Sequence, residues 1–401
     1  MSFQQRFRDA QVLGFDALMR LVAPEKIARG LENASHSINK EPFVVFVEQA
    51  VSYGNVRAAV LEFSKTAPLD SYIFISPSEA GHTWAQSHSI PHAKVEIGPG
   101  AHNAQVWSKL LRAAVSVHES HDFWHKRADL FSRALLSGSH KIQLWHGSTG
   151  PIGKEIGLGR LSAQPSLWHF TAIASTSTGW DELVCEPNSD EARRLDRVQA
   201  KSSIHDIEFR LVDVLRAGDF VPPKDRRIAV TPTFPETANG EGEIVKWLAQ
   251  LGKAALKEQC DVDVFLHPAS KPSLRKAVSN MSGIALETSG FNSAKLREYS
   301  AIVTDFSSIA HDALLIGTPV VMVTVDLAEY KKSREILIDQ EQWNAAYVVS
   351  QAEEFTTVLH DLFGPDSRKQ KRQSYRQDLL GALPGQPGEP TLNTVSRGMG
   401  I

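Results

Sequence analysis

The chain has 401 residues, enough for two or three domains with sizeable cores. Hydrophobic residues at 42% and charged residues at 22% exclude a collagen-like or disordered chain. The 43 Lys and Arg against 46 Asp and Glu leave a net charge of −3, so no global basic field argues for nucleic acid as a partner. Two cysteines, Cys185 and Cys260, are too few for a disulfide scaffold and suit a reducing compartment. No run of 18 uncharged apolar residues is present, and the opening MSFQQRFRDAQ lacks the apolar core of a signal peptide. The expectation is a soluble, cytoplasmic, multi-domain protein.

Residues 1–35 predict a helical segment with two competing apolar faces, one through Phe3, Phe7, Ala10, Ala17 and Leu21, the other through Val12, Phe15, Met19 and Val22. Such a broad surface suits packing against the body, with peripheral contact at the cytoplasmic face of the inner membrane as the alternative. From Pro42 onward, short apolar runs alternate with amphipathic segments. Strands are predicted at Phe43–Val47, Tyr72–Ile75, Lys94–Ile97, Lys141–Trp145 and Thr171–Ala174, with helices at Asn55–Lys65 and Gln105–Ser116. Between Asp181 and Asp225 the chain is charged, helical in pattern and poor in strand signals. A second series follows, with strands at Arg227–Val230, Val262–Leu266, Ile284–Leu286, Ala301–Thr304 and Pro319–Val323. Its helices are Glu243–Gln259, Ser293–Tyr299 and Ile309–Leu315. This alternation predicts an α/β protein of two parallel sheets covered by helices, facing each other across a cleft. The expected divisions are a helical segment over 1–40, α/β domains over 41–200 and 201–382, and a tail over 383–401. Pro384-Gly385 and Pro387-Gly388 mark that tail as irregular.

Ligands of open parallel sheets gather beyond the carboxyl ends of the strands, so the residues that follow each strand are informative. His146, after the 141–145 strand, stands beside Gly147, Ser148 and Gly150 and suits a general base near neutral pH; a structural His at a tight turn is the bland alternative. His267 occupies the matching place in the second half and suits a donor to an anionic leaving group. Asp305, Ser307 and Ser308 lie between a strand and a helix, where hydroxyls and free N–H groups form an anion site; a plain cap would explain only one serine. Thr233, after the first strand of the second half, either faces the same cleft or closes a turn. Together these residues describe a phosphate-bearing ligand held mainly by the second half, with a His facing it from the first.

No Walker-type loop, GxGxxG unit or GxSxG elbow occurs. His118, His121 and His125 have a spacing that can bind zinc, but HESHDFWHKR is strongly polar and reads as a solvated helix face. The basic run Arg368, Lys369, Lys371 and Arg372 reads the same way, with an anionic membrane surface as the alternative.

These motifs carry a family resemblance. KIQLWHGSTGPIGK resembles the QLWHGTPLKKIG segment of the CDP-glycerol glycerophosphotransferases, the teichoic-acid primase and polymerase type also found in capsule synthesis. VTDFSSIAHDALLIGTPVVMVTVDLAEYKKSR is similar to that family's ITDYSSVMFDYALLGKPVIFYVPDLEEY block, and DVDVFLHP and IAVTPTF resemble its LHP and APTF strand ends. FVVFVEQAVSYGNVRAAVLEF is similar to a segment that places Asn55 on a family Asn. The resemblance spans about Pro42 to Arg334. It implies the GT-B fold, two facing Rossmann-like domains, with the acceptor on the N-terminal one and the donor nucleotide on the C-terminal one. It also implies transfer of a polyol phosphate from a CDP-polyol donor to a hydroxyl of a glycan or polyol-phosphate acceptor, with lipid-linked acceptors among the candidates. His146 falls on the family's proposed base, His267 on a His at the donor phosphates, and Ser307-Ser308 on the pyrophosphate loop. Asn55, Gly147 and Ser148 fall on the acceptor side. No cofactor or divalent metal is assigned.

Two departures stand out. Ser148-Thr149 replaces the family Thr-Pro, with a Lys only at Lys154, and the interdomain G-x-PR-x-D segment is poorly kept near Arg193–Arg197. The acceptor loop is therefore expected to be remodelled. The alternatives are a nucleotide-sugar glycosyltransferase of the same fold and a non-catalytic nucleotide-binding homologue.

Overall fold

The run Phe43–Val47 is buried on both faces, as a central strand of a helix-covered parallel sheet must be. It forms most of β1 (Glu41–Val47), which pairs with β2 (Tyr72–Ile75) on one side and β4 (Ala113–His118) on the other. With β3 (His92–Ala93), β5 (His140–Gln143), β6 (Trp180–Cys185) and β7 (Ala200–His205) they make a seven-stranded parallel sheet in the order β3-β2-β1-β4-β5-β6-β7. This computed structural model describes residues 24–48, 54–94, 101–119, 132, 134–145, 180–187, 200–233, 238–267, 270–325, 327 and 344–401. Helices α1 (Pro24–Ser37), α2 (Asn55–Ser64), α3 (Glu79–Ser87) and α4 (Ala101–Arg112) accompany this first sheet.

After α5 (Phe209–Arg216), the strands β8 (Arg227–Val230), β9 (Asp261–Val264), β10 (Ala285–Leu286), β11 (Ala301–Thr304), β12 (Val320–Val323) and β13 (Tyr347–Val349) build a second parallel sheet. Its order is β10-β9-β8-β11-β12-β13. Helices α6 (Ala238–Glu258), α7 (Pro272–Ser279), α8 (Ile309–Ile316), α9 (Phe355–Phe363), α10 (Lys369–Gly381) and α11 (Glu389–Met399) complete the chain. Each sheet runs outward in both directions from its first strand, so its crevice lies between β1 and β4, or between β8 and β11.

One buried cluster joins the inner faces of the two sheets. It takes Phe46 and Val115 from the first, Ile302 and Met322 from the second, and Phe209 and Leu211 from α5 between them. The outer face of each sheet packs on its own helices. The apolar stripe of α5 thus touches both lobes.

Several expectations change. The predicted 105–116 helix ends at Arg112 and passes into β4 without a turn. Val115 and Val117 alternate into the core there, and pairing with β1 overrides the local helical pattern. The segment expected to lack strands holds β6 and β7, so the first sheet continues through His205, past the expected boundary at 200. Strand β7 is an edge strand with its polar residues toward solvent, which hides its periodicity. His118 is not on a solvated helix; it ends β4, buried, with Nε2 2.8 Å from the Ser116 hydroxyl. Arg372 is buried rather than solvated, and its guanidinium donates to both carboxylate oxygens of Asp366 at 3.0 and 2.6 Å.

The tail expected to be irregular forms α11, which returns to the first sheet against β1, β4 and β7. Asp206 accepts the Gly388 N–H at 2.9 Å, the Thr391 N–H at 3.2 Å and the Thr391 hydroxyl at 2.7 Å. That carboxylate caps the helix in place of a local residue. A Cβ on Gly398 would come within 2.7 Å of Val115, so only glycine lets α11 lie this close to β4. Strand β3 stands just before the expected Lys94–Ile97 run. Residues 1–23, 95–97 and the Thr171–Ala174 strand lie outside the described residues.

Candidate active site

The second-sheet crevice is built from three neighbouring strand ends. Because β8 lies between β9 and β11, the Thr231–Thr233 segment, Phe265–His267 and Asp305–Ser308 emerge side by side at one edge. Asp305 and Phe306 are buried and anchor their loop, while Ser307 and Ser308 are half-buried at the start of α8. The Asp305 carboxylate accepts the Thr233 N–H at 2.7 Å, and the Thr304 hydroxyl donates to the Thr231 carbonyl at 2.6 Å. These two bonds clamp the loops on either side of the crevice. The buried hydroxyls of Thr231 and Thr233 find no hydrogen-bond partner among the described residues.

At the start of α8 the Ala310, His311 and Asp312 N–H groups turn back onto the Ser307 and Ser308 carbonyls at 3.2, 3.0 and 3.3 Å, so the helix presents its dipole and its two serine hydroxyls rather than a row of spare amides. The Ser308 hydroxyl makes no capping bond, and the Ser307 hydroxyl reaches the Ile309 N–H only at 3.4 Å. The helix end and both hydroxyls can therefore receive an anion, where aligned peptide dipoles favour negative charge. Gly317 ends the helix in the left-handed conformation, φ +92°, before Thr318-Pro319 starts the approach to β12. His267 is exposed beside this edge. Its carbonyl accepts from the Ser270 N–H at 2.8 Å and the Arg275 guanidinium of α7 at 2.9 Å, which ties the chain just past β9 to α7.

On the first lobe the described chain stops at Trp145; His146, Gly147 and Ser148 lie outside the described residues, as do Lys154 and Arg193–Arg197. Trp145 itself has φ +66°, a left-handed turn just past β5, and its N–H donates to the Gln143 side chain at 3.1 Å. Asn55 is fully buried, and its amide donates to the Trp145 carbonyl and to Glu208, each at 3.2 Å. Among the described residues, Thr233, Asp305, Ser307, Ser308 and the His267 loop share the second-lobe edge, while Asn55 stands in the first lobe. No group of three possible metal ligands is gathered among the described residues.

Sequence reasoning did not foresee the charged cluster between the lobes. Arg210 on α5 meets Glu208 at 2.5 Å and Asp312 of α8 at 2.6 Å, and His311 meets Glu186 of the first lobe at 3.0 Å. The Tyr375 hydroxyl of α10 lies 2.5 Å from the other His311 ring nitrogen. Burial pushes the Glu208 carboxyl up to about 7, against the pull of Arg210 and helped by the nearby Asp312 and Glu186 carboxylates. Burial disfavours the charge on Arg210, but Asp312 and Glu208 outweigh it and hold the guanidinium above its ordinary range. His311 is raised as well: burial opposes its charge and the Glu186 carboxylate overrides that cost. The only trace of this cluster in sequence was the density of charge between Asp181 and Asp225.

A family model described as CDP-glycerol:poly(glycerophosphate) glycerophosphotransferase matches residues 79–381. No curated protein sequence matches the chain. Among solved structures, the wall teichoic acid polymerase TagF superposes with a TM-score of 0.63 at 15% identity, covering 100% of this chain and 99% of that one. A putative UDP-N-acetylglucosamine 2-epimerase from Listeria monocytogenes gives 0.54 at 12% identity, over 88% of this chain and 95% of its own. The spinosyn forosaminyltransferase SpnP gives 0.52 at 10% identity, over 90% and 99%. These likenesses show the GT-B fold.

Proposed function

This chain belongs to the CDP-glycerol:poly(glycerophosphate) glycerophosphotransferase family, and on that premise we propose how it moves glycerol phosphate from CDP-glycerol to a polymer hydroxyl. It is a transferase of the CDP-glycerol glycerophosphotransferase type. The clamp of Thr233 onto Asp305 carries the mechanistic reading, because it fixes the two crevice loops beside the Ser307 and Ser308 hydroxyls, which do little for their own helix. The donor pyrophosphate lies at the start of α8, against Ser307 and Ser308, with Thr233 on the other wall of the crevice. An acceptor hydroxyl attacks the glycerol-bearing phosphorus; the new P–O bond forms as the bond to CMP breaks. His146 takes the hydroxyl proton, and His267 with the positive dipole end of α8 stabilises the charge gathering on CMP. Holding donor and acceptor together across the lobes supplies much of the acceleration.

The wall teichoic acid polymerase TagF shares this fold, and we place the product here in the same broad class, a teichoic-acid-like or capsular phosphate polymer. Two buried thiols and a nucleotide donor support a cytoplasmic site of reaction. No helix among the described residues is long and apolar enough to cross a membrane. The two apolar faces in the sequence of residues 1–35 support peripheral membrane contact and a lipid-linked acceptor as part of this proposal. Nucleotide release measured over a donor panel tests the assignment. CDP-glycerol or another CDP-polyol is expected to yield CMP; turnover only with UDP- or GDP-sugars would transfer the protein to the glycosyltransferases.

A further inference from the structure

Arg210 spends every nitrogen it has on a link between the lobes. Its backbone N–H donates to the Asn55 side-chain oxygen at 3.1 Å, Nε meets Glu208, Nη2 meets Asp312, and Nη1 donates to the Ser293 hydroxyl at 2.7 Å. Asn55 in turn donates to Glu208 and to the carbonyl of Trp145. The Asn55 N–H donates to Glu119, just past β4, at 2.7 Å, so the asparagine is itself held from the first sheet. Asp312 lies in the first turn of α8, whose start carries Ser307 and Ser308. A continuous path of contacts therefore runs Trp145–Asn55–Glu208–Arg210–Asp312. It begins at the residue before His146 and ends on the helix that presents the anion site.

We propose that Asn55, Glu208 and Arg210 form a positioning strut that sets the separation between Trp145, just past β5, and the donor-binding start of α8. This inference rests on the function proposed above for its catalytic consequence, but its geometric content stands apart. A planar guanidinium with three occupied nitrogens fixes direction as well as distance, which a flexible ammonium cannot do. Arg210 is 15% exposed, but the groups it holds are shielded, Asn55 and Asp312 fully buried and Glu208 nearly so, so water does not readily replace a lost contact. None of the three touches a reacting atom; each acts through the backbone it holds. In-line transfer tolerates little misplacement, and an error of about 1 Å can cost on the order of 100-fold in rate.

The test pairs a distance with a rate. Leu69 in the first lobe and Leu256 on α6 in the second are 66% and 60% exposed, while Cys185 and Cys260 are buried. Spin labels on Leu69→Cys and Leu256→Cys therefore report the interlobe distance in the full chain. Arg210→Lys keeps the charge and loses the fork. It is expected to broaden the distance distribution and to lower kcat for CMP release about tenfold or more, with KM for CDP-glycerol changed less than about threefold. Adding Asn55→Ala should cost little more, since both residues act in series on one path. Ser293→Ala keeps both ion pairs and covers the case in which Arg210→Lys does not fold; it should broaden the distribution to a smaller degree. An unchanged distribution in the folded variants overturns the strut, and so do fully additive losses in the double variant. If the wild-type protein releases no CMP from CDP-glycerol, the functional assignment falls while the distance measurement still decides the strut.

Discussion

At the start of α8, Ser308 occupies a cap position without capping, and Ser307 makes only a long contact to Ile309. Hydroxyls that contribute so little to their own helix are available to a ligand. Replacing both, Ser307→Ala with Ser308→Ala, is expected to weaken CDP binding about tenfold or more, because a hydrogen bond to a charged group contributes about 1.5–3 kcal/mol. The melting temperature should fall only slightly, and calorimetry with CDP beside a thermal melt separates the two effects. Undiminished CDP affinity would place the phosphates elsewhere. The position of the serine pair was legible in sequence because it follows a buried strand, whereas Thr233, after β8, read equally as a crevice residue or as the close of a turn. Arg210 was not legible, because its value depends on Asn55, Ser293 and Asp312, which lie 155, 83 and 102 positions from it in the chain and meet it solely in the folded molecule.

Among the elements, α11 shows how a remote residue can decide local structure. Two Pro-Gly pairs punctuate residues 384–388, and from sequence they read as the end of order. The helix begins directly after them, with Pro390 tolerated in its first turn and its early N–H groups taken by Asp206. Asp206→Ala removes four bonds at once, three from Gly388 and Thr391 and one from the Ile207 N–H, and is expected to cost about 2–4 kcal/mol in urea unfolding, with α11 detached from β1 and β4. Unchanged stability would mean that Val395 and Met399 hold the helix by burial alone. Strands Tyr72–Ile75, Arg227–Val230 and Ala301–Thr304 fell where their apolar runs placed them, since burial on both faces leaves a continuous signature. β4 escaped because α4 enters it without punctuation, and β7 because a polar edge strand lacks that signature.

Across the whole molecule, three buried carboxylates, Glu186, Glu208 and Asp312, share Arg210 and His311 at the junction of the lobes, with Tyr375 against the histidine. Glu208 titrates near 7 in the folded protein against an ordinary carboxyl value of 4.5. Between those values the folded chain holds a proton that the unfolded chain has lost, so stability falls as pH rises through this window. Burial raises Asp312 too, and Glu186 raises His311, which adds loss of stability above pH 6.5 in the same direction. The slope is up to about 1.4 kcal/mol per pH unit for each proton released. Melts between pH 5 and 8.5 should show declining stability, and Glu208→Gln, which mimics the protonated acid, should flatten that decline. A profile that rises with pH would show the cluster fully ionised in the fold.

The central claim is chemical: the two lobes hold a CDP-polyol and a hydroxyl acceptor for transfer of a polyol phosphate. Phosphorus NMR of CDP-glycerol incubated with a glycerol-phosphate oligomer follows donor loss, CMP and new phosphodiester in one spectrum. The expected result is CMP and phosphodiester rising together in equal amounts with the wild-type protein. His146→Ala should slow both about 100-fold or more while CDP still binds. Persistent CDP-glycerol signals in a folded, CDP-binding wild-type protein supplied with acceptor would contradict the claim and identify a nucleotide-binding homologue without transferase activity.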